Sequence, residues 1–266
     1  MPRSPRPHAT PNTPPSANRR PRWCRWFFAL LCSALLAGGY AVYSGAVAIP
    51  EYFNPWAPLD VAAPPNLLTP TKLVRARGEP QRCLAALAQT GMAYSVLPDR
   101  VTGSGCGFDN AVLLRSSGVR LGAPVSLSCP MALSFAMWER HALQPAAELH
   151  MGQRVTAINH LGSYACRNVN RGEVAMPDTP SGNRSQHATA DALDIAGFTL
   201  SSGKRVAVLR QWQADDAGTV AGPDALFLRE VHRGACRYFK GVLGPDYNAA
   251  HRDHFHLETG GYRMCR

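Results

Sequence analysis

Ser185-Gln186-His187-Ala188-Thr189-Ala190-Asp191-Ala192-Leu193-Asp194 is the stretch on which the fold reading turns, and a second one answers it farther along, His251-Arg252-Asp253-His254-Phe255-His256. Between them they hold His187, His251, His254 and His256, four of the nine histidines. In an extended chain successive side chains point to opposite faces. Ala192 and Asp194 then share one face, while Leu193 and Ile195 take the other. By the same alternation His254 and His256 lie together and Phe255 turns into a core. Both stretches therefore end in strands with one apolar side and one side that carries chemistry. An imidazole nitrogen and a carboxylate oxygen are donors that suit a borderline ion such as zinc. A small residue beside Asp194 leaves room for the ion.

Working outward, 266 residues are enough for one sizeable domain with appendages. The formal charge is +10, but Arg3, Arg6, Arg19, Arg20, Arg22 and Arg25 all precede the first acidic residue, Glu51, and removing these six leaves +4. The basic character is thus partly a property of the tail. Later in the chain no run of cations is interleaved with aromatics, so a nucleic-acid partner is not expected.

Residues 1–25 are rich in proline and arginine and predict a disordered basic cytoplasmic tail. From Trp26 to Ile49 there is no charged residue, and about 20 apolar residues span a bilayer. Residues 26–49 therefore read as a single-pass signal-anchor helix in the inner membrane. The arginines before it put the N-terminus in the cytoplasm and the rest in the periplasm. Ala46-Val47-Ala48 also fits a small-residue cleavage site, so removal of the segment stays open. Residues 50–70 contain five prolines after Pro50 and predict a stiff linker, leaving 71–266 as the domain. Cys24 and Cys32 lie in or beside the membrane segment. The other six, Cys83, Cys106, Cys129, Cys166, Cys236 and Cys265, suit three disulfides in an exported domain. Pairing sequence neighbours gives Cys83–Cys106, Cys129–Cys166 and Cys236–Cys265.

Periodicity predicts a helix around 80–90, with Cys83, Leu84, Leu87 and Ala88 on one side and Gly91 as a stop. Tyr94 to Leu97, Ala111 to Arg115 and Val119 to Leu121 read as strands, with a glycine-containing loop from Val101 to Gly107. Ser128-Cys129-Pro130 opens the clearest helix, on which Met131, Phe135, Trp138 and Ala142 draw an apolar stripe. Strands follow at Arg154–Asn159, Asp191–Phe198 and Arg205–Leu209, the last two joined by the turn Ser201-Ser202-Gly203. A polar loop from Asn168 to Arg184 leads into the first quoted stretch, a usual place for the border of a substrate cleft. Pro223 to Val231 reads as a short helix, and a strand closes through Leu257. The class is α+β, an antiparallel sheet with helices packed on one side.

Ser185-x-His187, Ala192-x-Asp194 and His254-x-His256 together resemble the motifs of the zinc D-Ala-D-Ala metallopeptidases and their hedgehog-like fold. The ending His251-x-x-His254-x-His256 is most similar to penicillin-insensitive murein endopeptidases. The span from about Cys83 to Cys265 also resembles the bacterial extensin-like C-terminal domain family. This resemblance implies Zn2+ held by His187, Asp194 and His256, with an open position for water. It implies His254 beside the ion, where it stabilises an oxyanion or moves a proton. Asp253 stands where the dipeptidase and carboxypeptidase branches carry a glutamate base, and His251 is the rival for that role. It further implies that Arg167 and Ser185 hold substrate, and that the substrates are stem or cross-bridge peptides of peptidoglycan.

Single histidines are more often structural than catalytic, and His141, His150, His160 and His232 are read so. Asp191 reads as a solvated or turn residue. No Gly-x-Ser-x-Gly is present and no thiol is visibly activated, which leaves little support for a serine or cysteine hydrolase. The expectation is a membrane-anchored zinc metallopeptidase. The alternative is a zinc-containing module that binds cell-wall peptide or a protein without cutting it.

Overall fold

The computed structural model describes residues 22–169, 182–212 and 221–266, in two compact units divided at Pro50 and Glu51. The expected disordered tail at 1–25 and the loop from Asn168 to Arg184 fall largely outside the described residues. In the first unit α1 (Arg22–Tyr43) is a 22-residue helix. It is long and apolar enough over Trp23–Tyr43 to cross a membrane, a test that an N-terminal signal sequence also passes. It ends six residues before the expected limit at Ile49, because Ser44 and Gly45 turn the chain there, Gly45 at φ 77°.

In the second unit the segment expected to be a linker belongs to the fold. Ala57, Leu59 and Val61 are buried, and α2 (Thr69–Arg77) adds Leu73 and Ala76 to the same core. Proline content alone misread this segment, since prolines are compatible with a chain held down by tertiary burial. Next come α3 (Pro80–Ala88), β1 (Ala93–Val96), β2 (Arg100–Gly103), β3 (Cys106–Phe108), β4 (Ala111–Ser116) and β5 (Arg120–Ser128). β2 and β3 form a hairpin where a loop was expected, with Gly105 at φ 65° in its turn. β5 runs well beyond the expected Leu121.

The helix opened by Ser128-Cys129-Pro130 is α4 (Cys129–Trp138), capped by the Ser128 hydroxyl, which accepts from the Met131 amide at 3.2 Å. The predicted stripe is buried, but so are Leu133 and Met137 on the other faces. This helix is the centre of the domain, enclosed on all sides. Trp138 donates to the Val231 carbonyl at 3.2 Å and packs against Phe135, Phe198 and Phe239. A π-turn over Glu139–Leu143 leads into α5 (Gln144–Met151).

β6 (Val155–Gly162), β7 (Ala192–Leu200), β8 (Arg205–Ala207), α6 (Val208–Gln211), α7 (Pro223–Ala235), β9 (Gly241–Leu243), β10 (Phe255–Glu258) and β11 (Met264–Cys265) complete the described elements. The expected strand at 205–209 thus turns helical after Ala207. The sheet runs β1-β4-β5-β6-β7-β10-β9-β11, with β8 paired to β7. It is antiparallel except for β5–β6 and β9–β11, which are parallel. The α+β class holds.

β7 and β10 occupy the middle of the sheet in a register that matches Phe255 to Ile195, His256 to Asp194 and Leu257 to Leu193. Phe255, Leu257, Leu193 and Ile195 are all buried in the core. Against β6, Asn159 pairs with Gly197 and His160 with Ile195, so Ala196 is an extra residue and β7 bulges there. The bulge shifts the alternation, and Phe198 and Leu200 face the core beyond it. Gly197 is required by close approach, since a Cβ on it would sit 2.6 Å from the Val206 carbonyl oxygen.

The disulfides join Cys83 to Cys129, Cys106 to Cys166 and Cys236 to Cys265. Only the last was expected. Cys83 lies on α3 and Cys129 opens α4, and the packing of those two helices sets that bond. Cys106 on the hairpin reaches across to Cys166, which brings the hairpin to the edge of the site.

Candidate metal centre

Strand pairing alone makes half of the site. Because His256 stands opposite Asp194 with their apolar neighbours facing the core, both polar side chains project from the other face of the sheet. His256 Nδ1 lies 2.8 Å from Asp194 Oδ1. The third group comes from a 3-10 turn, Gln186–Thr189, which Ser185 caps by accepting from the His187 amide. Ala190 ends the turn in the left-handed region at φ 57°, fully buried, and hands the chain to β7. His187 Nε2 then lies 3.2 Å from Asp194 Oδ2 and 3.2 Å from His256 Nδ1.

These spacings fit one ion. Donors bonded at 2.0–2.1 Å to a tetrahedral centre stand about 3.3 Å apart. The imidazoles are also oriented from behind, as metal ligands usually are. His187 Nδ1 donates to the Ser163 carbonyl at 2.7 Å, which fixes the ring with Nε2 aimed at Asp194 and His256. Ser163 is itself held through its hydroxyl, which donates to the Ser126 carbonyl. His256 Nε2 donates to Glu258 Oε2 at 3.0 Å. Glu258 was missed in the sequence, although it lies two residues beyond His256 and so on the same face of the strand. The Ser163 carbonyl had no sequence signal, since any residue type offers one.

Electrostatics follow from this packing. Burial pushes the Asp194 carboxyl up, but hydrogen bonds and positive charge from His187 and His256 outweigh it and hold it far below the usual carboxylate range. Burial pulls His256 down, and the bonds to Asp194 and Glu258 overcome that and push it up to about 9. Without an ion His256 is therefore an imidazolium bridging two carboxylates.

The other expected residues border this cluster. His254 Nδ1 donates to Asp253 Oδ1 at 2.8 Å, and its Nε2 faces Asp194 Oδ1 at 3.6 Å. Asp253 and His254 precede the first residue of β10, and the bend there lets the two side chains meet despite strand alternation. Asp253 is half-exposed, with its carboxylate on the far side of the His254 ring from Asp194. The His251 ring lies 5.3 Å from that of His254 and 5.8 Å from that of His256, with Nδ1 on Asn248 Oδ1 at 2.8 Å. Burial, then the charges of His256 and His254, pull His251 down to about 4, so it is neutral at pH 7. Arg167 is exposed, and its charge acts on His251 in the same direction. Ser185 is buried and its hydroxyl accepts from the His187 amide, so it fixes the turn that carries His187 instead of facing an open cleft.

Asp191 is no free turn residue. Its carboxylate accepts from Ser128 Oγ at 2.5 Å and Thr189 Oγ1 at 2.6 Å, and its carbonyl accepts from the Thr259 amide at 3.0 Å, tying β5, the 3-10 turn and the end of β10 together. His232, Cys236 and Cys265 also cluster, but the two sulfurs are bonded to each other, so no thiolate is available there.

Residues 81–266 match the family described as Extensin-like protein C-terminus. No curated protein and no solved structure matches the chain.

Proposed function

The chain belongs to the Extensin-like protein C-terminus family, and we propose that it is a zinc-dependent peptidase acting on the stem or cross-bridge peptides of peptidoglycan. The observation that carries the reading is the meeting of His187, Asp194 and His256 donor atoms from segments far apart in the chain, all within 4.8 Å of one another. Two imidazoles and one carboxylate are the donor set of catalytic rather than closed structural zinc sites. When bound there, zinc lowers the pKa of a water to about 7 and polarises a carbonyl.

The chain's own groups supply the remaining work. His254, oriented by Asp253 through Nδ1, presents Nε2 to the cluster and can pass a proton between the reacting atoms and solvent. His251, neutral at pH 7, offers a second acceptor on the same side. Arg167 can take a peptide carboxylate through two parallel hydrogen bonds. Peptidoglycan as substrate is supported by the motif resemblance and by an apolar N-terminal helix that would place the domain outside the cytoplasm.

One observation favours the non-hydrolytic alternative: Asp253 is occupied with His254, at the place where the dipeptidases whose motifs it resembles carry a glutamate base. Digestion of purified peptidoglycan, with and without chelator, separates the two by the masses of released peptides. Chelator-sensitive release supports hydrolysis. A protein that holds its metal, binds the polymer and releases nothing is the binding module.

A further inference from the structure

The start of the second unit holds three aromatic rings in solvent on a backbone that is tied down. Tyr52, Phe53 and Trp56 are 40%, 64% and 74% exposed. Their segment opens with a 3-10 turn, Glu51–Phe53. Lys72 Nζ donates to the Glu51 carbonyl at 2.7 Å, Arg75 Nη1 to that of Pro55 at 2.8 Å, and Asn66 Nδ2 to that of Tyr52 at 2.8 Å. Just beyond, Ala57, Leu59 and Val61 enter the core. The rings are thus presented by a fixed platform, and Trp56 borders a groove of 270 Å3 with Arg75 and Arg82.

Position along the chain says what covers them. Val47 is bonded to the last turn of α1 through its amide and the Ala41 carbonyl at 3.0 Å. From Val47 to Glu51 the chain reaches at most about 15 Å. Tyrosine and tryptophan are the residues that settle at the boundary between headgroups and hydrocarbon, with the apolar ring inward and the polar edge wet. The charges nearby are mixed: Arg82 pairs with Glu79 at 2.7 Å, and Glu51 opens the segment. Apolar rings rather than net charge therefore dominate the surface.

We propose that Tyr52, Phe53 and Trp56 form a foot that seats the globular unit on the phospholipid interface. This rests on reading Trp23–Tyr43 as a retained membrane anchor.

The test uses the full chain in phospholipid vesicles, with Cys24→Ser and Cys32→Ser to remove the free thiols. A spin label is placed through Phe53→Cys, and in separate samples through Leu35→Cys on α1 and Leu149→Cys on α5. Collision with oxygen, which concentrates in lipid, is compared with collision with a water-soluble nickel chelate. The label at 53 is expected to favour oxygen severalfold over the label at 149, at a depth shallower than the label at 35. A label at 53 as open to nickel as that at 149, or shielded from both reagents by protein, overturns the foot while the label at 35 stays deep. If 35 itself is aqueous, it is the anchor reading that has failed. Tyr52→Ser with Trp56→Ser, at unchanged melting temperature, should return the label at 53 to nickel.

Discussion

Lowering the pH from about 10 to about 7 should weaken divalent-ion binding about a hundredfold, because one proton stands in the way. In the metal-free protein both ring nitrogens of His256 are engaged by carboxylates, at 2.8 Å and 3.0 Å, and the ring titrates at about 9. The ion needs Nδ1 bare, while Nε2 can keep its proton on Glu258. Each pH unit below the His256 value then costs a factor of ten, about 1.4 kcal/mol, and two units about 2.7 kcal/mol. Above that value the curve flattens. Competition against a chromophoric chelator gives the affinities. Calorimetry in buffers of different ionisation enthalpy counts the proton, with about one released near pH 7.5 and about none near pH 10. Glu258→Gln sharpens the case. Losing the oriented carboxylate costs about 10- to 100-fold in affinity where His256 is already neutral. At pH 7 part of that loss is returned, because the His256 proton is no longer held by two anions. An affinity that stays level between pH 7 and 9, or a Gln variant equally weakened at both, would refute the reasoning.

Other outcomes follow from the same geometry. In chelated protein the raised His256 value contributes stability that is full below about pH 6.5 and lost as pH rises through about 9, so the melting temperature should fall between pH 7 and 10. Asp253→Asn should leave metal content unchanged yet lower peptide release by about 10²-fold or more with an altered pH profile, read by metal analysis beside the digestion assay. Gly197→Ala forces a Cβ against the Val206 carbonyl and should destabilise by about 1–3 kcal/mol in denaturant titration. Cys106→Ser with Cys166→Ser opens a loop spanning 60 residues, with a ceiling of about 4 kcal/mol in unfolding free energy. It should also lower metal affinity, since it frees the segment whose Ser163 carbonyl holds His187.

How much could be read beforehand depended on whether the signal was local. Alternation in Leu193–Ile195 and His254–Leu257 fixed which sides face the core, because apolar and polar residues exchange at every step. The Ser128 cap and Pro130 marked the start of α4 for equally local reasons. Leu59 and Val61 were passed over because burial is decided by partners distant in sequence, and five nearby prolines argued for a linker. Two of the three disulfides went wrong for the same cause, since helix packing and hairpin placement choose the partner. Glu258 was within reach, two residues from a ligand on the same face, but a lone glutamate near the end of a strand carries no pattern of its own.

The pairing of β7 with β10 carries one further implication. Leu193, Ile195, Phe255 and Leu257 are anchored by the hydrophobic interior, and that anchoring already brings a carboxylate and an imidazole face to face. The meeting of these two donors is therefore set by apolar burial and does not wait for coordination. If the proposed ion binds there, its loss and return should leave the fold intact, so loading would be a reversible adjustment to the surroundings instead of a step in maturation.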